Sequence, residues 1–536
     1  MNTPTAVAPE TIGIAPSTEN RYTINPVLAV VEDSALFGWV ITFVNWADTI
    51  LALSLKTAWL NNVIQRLFNR NYQQWEQSAR VNWLHGIVPC IGIVALFALM
   101  LITDTGLIGA AVWILFAGLL VTSVGLGYNR WVARLTVVDI VVFAFFATFF
   151  VACAFSSYHH EALSGLFKMA TFWAGYCVFR TVMVQFPTSI PILMATLIAF
   201  GLFEAGFAYL QSTSKVAELA TWTDPSTNPE DQLTRVYGTL KPYNPNLLAA
   251  YFIATLGACF WWLGQLMEQL THATQAGIKR LPWVGVTLIA FIAMAYGLVL
   301  TGSRGGYLGI TGMLSVCFLV LTPLLLWSDS TLKSITWLKK AWAGLLLGLI
   351  ALVGVAILKS SALQHRIASI FAFREDSSIS YRLNVYASAW RMFLDNIWTG
   401  IGPSNTVFKK VYGFYMTPGY NALGAYSVPL EIALEQGIVG LSVALVFAGY
   451  LKGKTVTLLA HVTAVPLKQK LSIAAAIITL TGFFYHGLFD TIWYRPAIQL
   501  LFWFFVSVWA YSVTPTVAKQ NSHYSSASIE STPFSS

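Results

Sequence analysis

Four polar stretches, at 212–243, 301–306, 359–427 and 486–496, hold most of the arginines and the Tyr, Asn and Gly motifs that could do chemistry. In TGSRGGYLG at 301–309, Arg304 offers five donors in a planar fork suited to carboxylate, bicarbonate or phosphate oxygens, and Gly305 and Gly306 permit close backbone approach. A tight hairpin carrying an interfacial arginine would look the same. RVYGTLKPYNPNLLAAY at 235–251 sets Arg235 near Asn244 and Asn246 at a helix start, where asparagine also serves as a cap. The 359–427 stretch threads His365, Arg366, Arg374, Arg382 and Arg391 among aromatics, and from Ser377 it reads as helix, with Arg382, Val385, Tyr386, Ala389 and Phe393 at helical spacing. Two or three of these guanidiniums converging with Arg304 would hold a diphosphate bidentately. The alternative is an amphipathic helix resting on anionic headgroups. The anion-binding candidates are therefore Arg235, Arg304, Arg374 and Arg382.

Acid–base candidates are fewer. In HGLFDTIWYRP at 486–496, His486 and Asp490 would make an oriented base if the turn is helical, because the carboxylate fixes the imidazole tautomer; structural hydrogen bonding is the competing explanation. Asp139, Lys168 and Glu204 lie within otherwise apolar segments, where an unpaired charge is costly, so each must pair, stay neutral or line a wet cavity. Lys168 could also snorkel, and Asp139 sits near a segment end. No metal-ligand spacing, nucleotide loop or nucleophile elbow is present, so the sequence asks for no metal and no cofactor.

These groups must be positioned by membrane helices. The 536-residue chain is 56% apolar and only 10% charged, with apolar runs recurring at the length that crosses a hydrocarbon core of about 30 Å. The expected fold is all-α, a polytopic transmembrane bundle with a large extracytoplasmic loop. About twelve spans are expected, near 82–103, 106–128, 135–157, 162–185, 190–211, 246–268, 281–301, 306–327, 341–358, 430–451, 471–486 and 497–514. The transmembrane domain thus covers 81–514, with extracytoplasmic loops at 212–243 and 359–427. Residues 1–80 form a polar cytoplasmic tail plus an amphipathic segment at 35–58 interrupted by Asp48 and Lys56, read as interfacial with a span as the alternative. Residues 515–536 are a polar, disordered tail. The only interruption of a broken-helix kind visible in the sequence is Pro191, near a span start, and there is no internal repeat.

Lys and Arg asymmetry sets the orientation. Arg130, Arg134, Arg180, Lys279, Arg280, Lys333, Lys339, Lys340, Lys452, Lys454, Lys468 and Lys470 fall on one set of connections, whereas 301–306 and 486–496 carry only Arg304 and Arg495. Both termini should face the cytoplasm, in the plasma (inner) membrane, with all four polar stretches on the outer face. The net charge of +8 is mostly this topological signal, and with no basic helix or recognition motif it gives no case for nucleic acid. Cys90, Cys153, Cys177, Cys259 and Cys317 all fall in apolar spans without paired spacing and read as small buried hydrophobes.

In this order, RVYGTLKPYNPNLLAAY, LTGSRGGYLG, REDSSISYRLNVY, GIGPSNTVF, AYSVPLEIALEQGIVGL and HGLFDTIWYRP resemble the O-antigen ligase and polymerase superfamily. Within it they resemble the cyanobacterial bicarbonate-transporter family of the IctB type. The superfamily implies metal-independent transfer of a glycan from a polyprenyl diphosphate, with outer-face arginines on the diphosphate. By that resemblance Arg304 matches the arginine of a Ser-Arg-Gly motif, Arg382 the arginine opening the loop helix, and Glu435 with Gly437 and Gly440 a Glu-x-Gly-x-x-Gly segment. Where the ligases carry His-Asn, this chain has Tyr426 and Ser427. A phenol with pKa near 10 is a poor base, so transfer of the usual kind would need His486 or Glu435 in that role. The resemblance implies inorganic-carbon accumulation with bicarbonate as the small-molecule partner. The alternatives are a glycosyltransferase on a lipid-linked glycan and a non-catalytic subunit of a carbon-uptake assembly. Membrane lipid is a partner in every case.

Overall fold

In lipid every backbone N–H and C=O must be satisfied within its own segment, and the apolar runs answer that by folding as helices. A computed structural model describes residues 62–514 apart from 104, 133–134, 215–234, 272–278, 360–363, 365–376 and 461–464, together with 42, 46, 48 and 49. Arg374, most of the 212–243 loop, most of the 35–58 segment and both tails lie outside the described residues. Among those described there are helices and no strands.

Eleven described helices are long and apolar enough to cross a membrane. They are α1 (Ala79–Ile102), α2 (Thr105–Leu126), α3 (Val137–Phe155), α4 (His159–Gln185), α5 (Ser189–Thr213), α6 (Pro245–Thr271), α7 (Leu281–Leu300), α8 (Arg304–Ser328), α12 (Val428–Ala460), α13 (Leu467–Gly487) and α14 (Pro496–Val513). A further helix, α9 (Thr336–Lys359), contains the remaining apolar run expected at 341–358. Between α9 and α12 lie α10 (Ser377–Asp395) and the short α11 (Asn405–Tyr412). The protein is an integral, multi-pass helical membrane protein.

The centre of the bundle is α6, α13, α14 and α4, the most buried of the spans, with α2, α7 and α8 mostly turned outward. Close packing of α6, α8 and α13 rests on small residues: a Cβ at Gly309 would sit 2.4 Å from the Ile253 side chain and 3.0 Å from the Gly482 carbonyl. Two ion pairs, the first of them buried, close the end opposite the loop helices. Asp329 meets Lys470 at 3.0 Å, and Asp48 meets Lys454 at 2.5 Å and the Tyr450 hydroxyl at 2.7 Å.

One span departs from the sequence expectation. Pro191 does not interrupt α5, because it sits in the first turn, where its missing N–H is not needed. The break is in α12, at Gly437, with φ 64° and ψ −162°. That conformation is open essentially to glycine alone. The backbone groups it frees are taken by the segment after α10: Ile401 N–H donates to Leu434 O at 2.8 Å, Gly402 N–H to Glu435 O at 3.1 Å, and Ile438 N–H to Ile397 O at 2.6 Å. The 397–402 segment therefore plugs the broken helix and fixes the carboxylates just ahead of the break.

Candidate functional site

The turn from α7 into α8 is the first wall. Ser303 caps α8, its Oγ accepting from Gly306 N–H at 3.1 Å. Arg235 clamps this turn rather than facing outward, donating Nε to Thr301 O at 3.0 Å and Nη2 to Asn246 Oδ1 at 2.9 Å. A Cβ on Gly305 would lie 2.6 Å from His486 Cδ2, so residue 305 must be glycine for α13 to come against the start of α8. His486 is fully buried, and neither ring nitrogen has a hydrogen-bond partner among the described residues. Its Nε2 lies 3.9 Å from Asp490 Oδ2, adjacent but beyond hydrogen-bond length.

The second wall is α10, which begins at Ser377 and buries Val385, Ala389 and Phe393. The same face carries Arg382 at the start of the helix, its guanidinium carbon 6.0 Å from the centroid of the Tyr426 ring. Burial pushes the Asp490 carboxyl up, yet the adjacent His486 imidazole and the Arg382 guanidinium together hold it below the usual carboxylate range. Arg382 and the turn bearing Arg304 thus flank one His486–Asp490 pair from two sides.

Tyr426 adopts φ 52°. Its N–H donates to Thr491 Oγ1 at 3.1 Å and its carbonyl accepts from the Tyr386 hydroxyl at 3.0 Å. Burial, then its neighbour Tyr381, pushes the Tyr426 phenol above its ordinary value, and burial pushes Tyr386 up to about 12. Neither phenol is a base at neutral pH.

Behind them α12 presents two buried carboxylates one turn apart, Glu431 and Glu435. Glu435 Oε1 accepts from the Tyr494 hydroxyl at 2.9 Å and from Ser404 N–H at 3.1 Å. Lys168 reaches the same tyrosine, donating Nζ to Tyr494 O at 2.5 Å, and has Glu435, Glu431 and Arg495 as charged neighbours. Glu431 Oε1 accepts from Thr491 Oγ1 at 2.8 Å. Its Oε2 is buried with no hydrogen-bond partner among the described residues. Glu431, Thr491 and Tyr494 were not singled out from sequence; the spacing of two glutamates four residues apart at the head of an apolar run was the signal available.

The other intramembrane candidates lie elsewhere. Glu204 accepts from Thr239 N–H at 3.0 Å and also from the Thr239 hydroxyl, holding the 238–239 turn. Asp139 is bound by Arg180 at 3.0 and 3.2 Å, by the Tyr176 hydroxyl at 2.7 Å and by the Thr136 capping box. Both are fully engaged in structural contacts, and Lys168 and Glu204 share no cluster.

Beside the polar cluster lies an apolar cavity of about 170 Å³ between α12, α13 and α14. Val428, Ile432 and Ile492 line one end and Lys452 the other, and the exposed side chains of Leu445 and Phe484 lie on its flank. Lys452 Nζ lies 5.2 Å from the centroid of the Phe484 ring, so the chain beyond the break at Gly437 closes back against the outer half of α13.

Half-buried Arg382, the buried His486–Asp490 pair and the buried Glu431 and Glu435 thus gather at one end of a helical membrane bundle, beside an apolar cavity. Residues 289–445 match the family model described as O-Antigen ligase. The matched segment runs from within α7 into the second half of α12, less than half of the chain, and includes Arg304, Arg382, Tyr426, Glu431 and Glu435; Lys168, His486 and Asp490 lie outside it. No curated protein matches the chain.

Proposed function

We propose that this protein transfers a glycan from a polyprenyl-diphosphate carrier on the extracytoplasmic face of the membrane, without a metal. The observation that carries this is the apolar groove whose outer end, at Val428 and Ile432, abuts the polar cluster: a prenyl chain lies in the groove and its diphosphate at Arg304 and Arg382. In the reaction an acceptor hydroxyl attacks the anomeric carbon, its proton passes to His486, and the bond from that carbon to the diphosphate breaks. The electron pair leaves with the lipid diphosphate, whose added charge meets the guanidiniums. Asp490, held ionised, stabilises the imidazolium.

A second reading, movement of a small anion such as bicarbonate, is favoured by the broken helix at Gly437 and by the half-buried Lys168 and the buried Glu431 and Glu435 beside it. Both are tested in one preparation of proteoliposomes, assayed for transfer from a polyprenyl-diphosphate-linked oligosaccharide and for bicarbonate flux. Transfer that falls about 10²- to 10⁴-fold in His486→Ala, and as far in Arg304→Lys as in Arg304→Ala, is the expected result. Flux without transfer, lost in Lys168→Met, would replace this proposal by the second reading.

A further inference from the structure

The face of α10 turned away from the site carries an unbroken apolar stripe. Leu383, Ala387, Trp390 and Leu394 follow one another at spacings of four and three, Ile397 and Trp398 lie three and four residues beyond Leu394 in the closing turn, and all are exposed, Trp398 at 73%. A helix in water would put polar groups there. The arginines of α10 do not occupy the stripe's apolar positions: Arg382 lies over Tyr426, and Arg391 is drawn back to donate to Tyr415 O at 3.1 Å.

Where the stripe ends decides what covers it. Trp398 O lies 3.5 Å from Val439 N, just past the break in α12, and Val439, Leu445 and Val446 continue as exposed apolar surface along that span. Lys452 and Lys454 mark the far end of the same helix. Past the break the helix runs uninterrupted over 438–460, about the 20 helical residues that a hydrocarbon core needs. Gly437, and Trp398 docked beside it, therefore lie at the outer edge of the acyl chains.

We infer that α10 is an interfacial helix, its Trp390–Leu394–Trp398 stripe sunk into the outer-leaflet lipid, and not part of a loop projecting into water. The occupant is lipid because the stripe is continuous with the lipid-facing flank of α12. Tryptophan is the side chain enriched at that depth. The seat has a consequence for the site, since the adjoining face of the same helix carries Arg382 and Tyr386. The bilayer then sets the height at which Arg382 meets its anion. This holds whichever substrate reading is right, and its test does not use activity.

The test is spin labelling of the full chain in liposomes, in a background with the five native cysteines replaced. Labels at Trp390→Cys, Leu394→Cys and Trp398→Cys are compared with a lipid-facing control at Leu445→Cys and an exposed control at Lys409→Cys. Collision with oxygen should exceed collision with a water-soluble nickel chelate severalfold at the three stripe positions, as at residue 445, with the reverse at 409. Nickel-dominated collision at the stripe would place it in water. Low accessibility to both reagents with dipolar broadening would give it to a second copy of the chain, and either outcome overturns the inference. Hydroxyl-radical footprinting of the unmodified protein in liposomes tests it without substitution: Trp398 should be protected despite its exposure, and strong oxidation there would count against the bilayer seat.

Discussion

The residue that most constrains the chemistry is Tyr426. With its phenol pushed above the usual value by burial and by Tyr381, less than about one molecule in a thousand is ionised at pH 7, so the hydroxyl takes no proton from an acceptor. Tyr426→Phe should then change transfer by no more than a few-fold, measured as initial rate on the lipid-linked donor; a loss as large as that of His486→Ala would return the base to position 426. The left-handed backbone at this residue is one that histidine and asparagine visit more readily than most side chains, so Tyr426→His should fold. Asp490 makes a second test at this scale. Its folded-state pKa is depressed, so its contribution to stability is present above the unfolded value near 3.9 and is lost as pH falls through the folded one. The stability gap between the wild type and Asp490→Asn, by thermal unfolding in detergent, should be largest near neutral pH and shrink below about pH 4. A gap that grows on acidification would mean that Asp490 is protonated in the folded protein.

At the scale of elements, the broken α12 is the device that builds the site. The Gly437 conformation lies in a region costing of order 1–3 kcal/mol for a residue with a Cβ, and that Cβ would also sit 2.3 Å from Trp398 O. Gly437→Ala should therefore lower thermal stability and release the 397–402 segment, and with it the Ser404 N–H that holds Glu435. Gly449→Ala, in the same helix with nothing within 4 Å, should be nearly neutral. Equal effects in the two variants would mean that the break is not held by its own geometry. The start of α10 at Ser377, its buried face at Val385, Ala389 and Phe393, and the apolar runs of the spans were legible in the sequence because each is a local period. Gly437 was legible as a motif glycine but not as a break, since nothing within α12 shows that residues 397–402 supply its missing partners. Glu204 and Lys168 looked alike in sequence, each one charge in an apolar run, and only packing separates a loop tie from a member of the cluster. Arg235 was read as an anion ligand because its clamp on Thr301 joins residues 66 positions apart.

For the whole molecule, everything rests on which ends of the helices share a side. The contacts joining residue 305 to His486, Tyr426 to Thr491, and Arg382 to Asp490 bring the starts of α8 and α12, the end of α13 and one face of α10 to a single end of the bundle. Asp329–Lys470 and Asp48–Lys454 lie at the other end. That far end also carries Lys333, Lys339, Lys340, Lys452 and Lys468, and basic residues flanking spans are retained in the cytoplasm. A lipid-linked glycan awaiting transfer outside the cell would therefore meet the cluster from the outer leaflet, through the groove that opens beside Leu445 and Phe484. Single cysteines at Ser330 and Lys409, introduced into the chain lacking its native five, should report this orientation in intact cells. A membrane-impermeant maleimide added outside should label position 409 at once and position 330 only after the membrane is opened. Reaction of position 330 alone from outside would invert the protein, placing the groove mouth and both arginines on the cytoplasmic side, where an extracytoplasmic transferase has no acceptor. Labelling of both from one side would separate the helix ends that the bundle joins, and the composite site would not exist.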